Sequence, residues 1–67
     1  MHDAATINLA TEVVDVLRQE RGGNVGGITV RDIHSVVSAR ADTPEVIVAV
    51  GAVAAELVLE ELEGYDT

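Results

Sequence analysis

Residues 46–55 carry no charge, and the apolar side chains in and beyond this run recur at helical spacing on several faces at once. Val46, Val50, Val53 and Leu57 form one stripe, and Ile47, Ala54 and Val58 a second. Val48, Ala55, Leu59 and Leu62 form a third. Only a narrow polar face remains, made by Glu45, Ala49, Ala52, Glu56, Glu60 and Glu63. The flanking residues predict a long helix: Thr43 suits the N-cap, Pro44 the first helical position, Glu45 the first turn, and Gly64 the closing position. A rival reading takes residues 46–50, β-branched and ended by Gly51, as a buried strand followed by a helix over 52–63.

Two shorter helices precede it. Leu9, Ala10, Val13, Val14, Val16 and Leu17 make an apolar stripe opposite Asn8, Thr11, Glu12, Asp15, Arg18 and Gln19. Asp3, Thr6 or Asn8 can cap this first helix. Arg18 and Arg21 suit its last turn, and Gly22 its C′ position. The glycine-rich segment 22–27 reads as a connector. It lacks the Gly-Lys-Ser/Thr ending of a phosphate-binding loop and the preceding strand of a dinucleotide fingerprint. Gly27, Ile28, Thr29 and Val30 predict a short extended piece before helix two. Thr29 and Asp32 then read as a capping box, with Val30, Ile33, Val36, Val37 and Ala41 turned inward and Arg31, Ser35, Ser38 and Arg40 outward. About three residues are left for the turn into helix three. The expected fold is mainly α, a single three-helix domain over residues 1–67.

Length changes this picture, because so short a chain buries only about 60% of its unfolded surface. There is no cysteine to staple it, and Tyr65 is the only aromatic residue. Two short helices cannot cover every stripe of the third, so the sequence calls for a partner chain. The expected interface is Val46, Ile47, Val50, Gly51, Val53, Ala54, Leu57 and Val58. Gly51, Ala54 and Ala55 are small enough to admit a second backbone.

The net charge is −8, from twelve acidic residues against Arg18, Arg21, Arg31 and Arg40, with no lysine. That balance repels phosphates and anionic membranes, so nucleic acid is disfavoured as a partner. It also suits a GC-rich or salt-adapted source. The acidic start at residues 1–3 lacks the basic region of a signal peptide, and Glu56 interrupts the apolar run short of the ~20 residues that a membrane span needs. The expected location is the cytoplasm or the inside of a virus particle, with no membrane contact. Glu56, Glu60, Glu61, Glu63 and Asp66 crowd the negative end of the helix-three dipole, a mutual repulsion that salt would screen.

The order of helix, extended piece, capped helix, tight turn and longer helix resembles the winged-helix form of the helix-turn-helix. Residues 27–33, 42–46 and 62–65 carry the resemblance, which spans roughly Leu9 to Tyr65. It implies that Glu45 and Val46 open a recognition helix and that Gly64 and Tyr65 lead to a wing, truncated here at Asp66 and Thr67. It also implies DNA binding, with Arg18, Arg21, Arg31 and Arg40 as the contacts. Where such a helix would carry Arg, Lys, Asn or Gln, however, this one carries Glu45 and alanines.

Other chemistry is sparse. His2 and His34 stand in no metal-ligand spacing, and the acidic cluster lacks the Asp/Asn-Gly loop of a calcium site. Asp32, His34 and Ser38 have the residue types of a nucleophilic triad, but they share one short helix with no oxyanion site. The sequence therefore predicts a non-enzymatic interaction or assembly module without cofactors. It would act as a homo-oligomer or as a subunit of a larger complex, a viral one included. The alternatives are a minimal winged-helix DNA-binding regulator and an acidic mimic of nucleic acid.

Overall fold

The computed structural model describes residues 3–65, so His2, Asp66 and Thr67 lie outside it, as does the side chain of Tyr65. Three helices follow one another: α1 (Ala4–Glu20), α2 (Val30–Arg40) and α3 (Pro44–Tyr65). Among the described residues there is no strand. Residues 46–50 are helical, which removes the strand alternative. The piece expected at 27–30 forms no strand: Gly27 lies in a turn, Thr29 has extended backbone as the N-cap, and Val30 is already the first residue of α2.

Local hydrogen bonding explains where the helices start and stop. Asp3 is the N-cap of α1, its carboxylate accepting from the Thr6 N–H at 2.8 Å. At the other end the Gly23 N–H donates to the Arg18 carbonyl at 2.8 Å and the Gly22 N–H to Gln19 at 3.2 Å, the pattern of a Schellman cap. It needs a left-handed residue, and Gly22 supplies one with φ 69°. α2 begins with the full capping box: Asp32 N–H donates to the Thr29 hydroxyl at 3.2 Å, and Thr29 N–H to the Asp32 carboxylate at 3.0 Å. Residues 41–43 make the turn into α3. Gly64 does not close α3, since the helix runs through Tyr65 and only Gly22 and Gly23 have positive φ among the described residues.

Packing selects one arc of each helix. Ala10, Val13, Val14 and Leu17 of α1 meet Ile33 and Val37 of α2 and Val50, Val53, Ala54 and Val58 of α3. α3 packs most extensively on α1 and less on α2. Val30, expected inward, is 76% exposed. It sits at the first helical position, and the arc centred on Ile33 and Val37 rotates it past the edge of the core.

The connector is not a passive link. Val25, between Asn24 and Gly26, is completely buried and belongs to the core. Two short bonds aim it inward: Gly26 N–H to the Asn24 side-chain oxygen at 2.8 Å, and Ile28 N–H to the Val25 carbonyl at 3.2 Å. The fully buried large side chains are valines at 13, 25, 37 and 50, so Val25 is a sizeable share of a small core. Val25→Ala should cost about 2–3 kcal/mol through lost burial and a residual cavity. For a domain of this size that lowers the melting temperature by roughly 10 °C or more. A circular-dichroism melt checks it, and an unchanged midpoint would remove Val25 from the core account.

Candidate functional site: an apolar groove between the second and third helices

α2 and α3 leave a groove that no described residue of α1 lines. One part, about 300 Å³, is lined by Val30, Ile33 and His34 of α2 and by Val48, Gly51 and Ala52 of α3. A second part, about 180 Å³, continues past Ile28, Thr29, Leu59 and Leu62. Val30, Ile33 and Ala55 line both, so the two are one continuous trough. Its walls are Val30, Val48 and Leu59, which are 76%, 72% and 57% exposed. Between them α3 presents the small residues Gly51, Ala52 and Ala55, with the buried Ile33 and Val58 beneath. A Cβ placed on Gly51 would meet nothing within 4 Å, so this helical glycine is not required by any neighbour in the chain. It nonetheless costs ~1 kcal/mol relative to alanine in a helix interior.

The groove is built from the third stripe of α3. The other two stripes are largely consumed at home. Of the eight residues expected at an interface, Val50, Val53, Ala54 and Val58 are buried in the chain's own core. Ile47, Gly51 and Leu57 are partly covered, and Val46 is 41% exposed. The residues that sequence reasoning left off that list are Val30, Val48, Ala55 and Leu59. Their stripe was legible, but its position relative to α1 and α2 was not.

The arginines are similarly redistributed. Arg18 donates to Asp15 at 2.9 Å and to Glu61 of α3. Arg21 reaches Asp32 at 2.6 Å, and Arg40 lies 3.7 Å from Glu12. Apart from Arg18–Asp15, which lies within α1, these pairs join different helical segments, and they leave Arg31 as the arginine without an ion pair among the described residues. Glu61 is therefore compensated by a residue far away in sequence, while Glu56, Glu60 and Glu63 face water.

No buried polar or charged side chain occurs among the described residues, and no cluster there could hold a metal ion. The Ser38 hydroxyl lies 3.5 Å from His34 Nδ1 on an exposed face, whereas Asp32 is turned toward Thr29 and Arg21. The three do not assemble into a triad. A wider depression of about 550 Å³ between α1 and α2 includes Glu20, Asp32, Ser35 and Arg40, with Asp32 and Arg40 already held in ion pairs. No described helix is long and apolar enough to cross a membrane. In comparison with known proteins, the chain matches no family model, no curated protein and no solved structure.

Asp32 is held below the ordinary carboxylate value of 3.8, chiefly by the Thr29 backbone N–H, with help from the Thr29 hydroxyl and Arg21 and against partial desolvation. A depressed folded-state value means that its stabilisation is fully present above 3.8 and is lost as pH falls through the lower folded value. The melting-temperature gap between the wild type and Asp32→Ala should therefore be constant near neutrality and shrink in acid. A gap that widens on acidification would contradict this.

Proposed function

We propose that this protein is a non-enzymatic assembly module whose contact face is the α2–α3 groove. The observation that carries the reading is Gly51. A helix accepts a glycine there although the chain itself leaves room for a side chain, and apolar walls stand exposed on both sides. Close approach of another polypeptide accounts for both features, because a small floor lets a backbone descend and the walls then lose contact with water. A small-molecule site fits less well. Such sites orient their ligand with a few convergent polar groups, and among the described residues His34 is the only titratable side chain lining the trough.

Nucleic acid is disfavoured by charge and by arginine usage. Three of the four arginines already hold carboxylates, and exposed positions at the start of α3 are Glu45, Val46 and Val48. The winged-helix resemblance is thus proposed at most as an arrangement of helices, with the DNA-binding activity set aside.

Sedimentation equilibrium from micromolar to millimolar protein tests the assignment. Wild type should associate, and Val48→Glu and Leu59→Glu should each weaken association at least tenfold while helix content stays unchanged. Both side chains are mostly exposed, so neither charge enters the core. Gly51→Ala should stabilise the dissociated chain by about 0.5–1 kcal/mol yet also weaken association. A wild type that stays monomeric to millimolar concentration, or association indifferent to all three changes, would overturn the proposal.

A further inference from the structure

The two edges of the groove carry opposite charge, and this identifies what fills it. Arg31 follows the groove wall Val30 and precedes His34 by three positions, which puts it on the outer rim of α2. It is exposed and makes no ion pair among the described residues. On α3, Glu56 and Glu63 stand three and four residues from the wall Leu59, and Glu56 and Glu45 stand four and seven from Ala52. Helical spacing therefore lays an acidic rim along the other edge. The rims are level with one another, since Val30 and Ala55 line the same cleft and their chain neighbours are Arg31 and Glu56.

Resting on the reading of the groove as a contact face, we infer that its occupant is a second copy of this chain, related by a two-fold axis running parallel to α3. That axis exchanges the edges while preserving the level along the helix, so Arg31 of each protomer meets Glu56 of the partner subunit. A two-fold axis across the groove would instead set arginine on arginine and glutamate on glutamate. The parallel arrangement also brings Gly51 and Ala55 of both copies to the line of closest approach, with Val48 and Leu59 packing above and below it. Small residues four apart on parallel helices allow that kind of contact. A heterologous basic protein would answer the net charge of −8 but would leave Arg31 facing like charge. Repulsion between two acidic copies is spread over their surfaces and reaches only ~8 Å at physiological salt. The contact itself is apolar, and the paired rims set its orientation.

Charge reversal separates a local pairing from a general charge effect. Arg31→Glu and Glu56→Arg are exposed substitutions at positions without an ion pair among the described residues, so each should fold as the wild type does by circular dichroism. Net charge alone would make Arg31→Glu associate more weakly and Glu56→Arg more strongly. The pairing makes both weaker, by tenfold or more in dissociation constant at physiological salt. An equimolar mixture of the two should recover near-wild-type affinity, because the heterodimer contains both restored pairs. Strengthened association of Glu56→Arg, or a mixture no tighter than its components, would overturn the two-fold arrangement. If Val48→Glu still dissociates the protein in that case, the groove reading stands and only its orientation fails. Association unaffected by Val48→Glu would instead remove the groove reading itself.

Discussion

The structure turns on covering a 22-residue helix with two shorter ones that carry no aromatic side chain. At 1.5 Å per residue α3 is about 33 Å long, and the 11-residue α2 about half that. α1 occupies one flank of α3 through valines and alanine. α2 reaches the other flank with Ile33 and Val37 but cannot close over Val48, Gly51, Ala55 and Leu59. A phenylalanine or tryptophan from α2 could have filled that space. The groove is what remains when a valine-based core meets a helix that is apolar over most of its circumference.

Around this core, polar groups do mainly directional work. Arg18 ties α1 to the end of α3 through Glu61, Arg21 ties α1 to the cap of α2 through Asp32, and Arg40 returns from α2 to Glu12. Exposed pairs of this kind contribute little individually to stability. They do select how the helices face one another, and Asp32 serves two ends at once, as capping partner and as ion-pair acceptor. Three arginines used in this way leave an otherwise acidic exterior, with Arg31 as the exception beside the groove.

What the sequence revealed was what local geometry controls. Thr29 with Asp32, and Gly22, act through bonds spanning three to five residues, so residue type and spacing were enough to find them, whereas for the cap of α1 they left Asp3, Thr6 and Asn8 open and the structure selects Asp3. Val25 was missed because a single apolar residue among glycines has no periodicity, and its burial comes from the path of the loop. The Arg18–Glu61 pair joins positions 43 residues apart, beyond any pattern in the chain. The surplus of apolar stripes on α3 was visible, but a helical wheel has no external reference. Only the placement of α1 and α2 shows that Val50, Val53, Ala54 and Val58 are spent inside and that Val30 and Val48 are not.

The central claim is that this fold is completed by closing its groove against another polypeptide, and linkage gives the most direct measurement. A species stabilised by association melts at a temperature that rises with protein concentration. The melting midpoint of the wild type, followed by circular dichroism over a hundredfold range of concentration, should climb steadily. That of Val48→Glu should stay flat over the same range. A wild-type midpoint independent of concentration would show that α1 and α2 already satisfy α3, and would contradict the account.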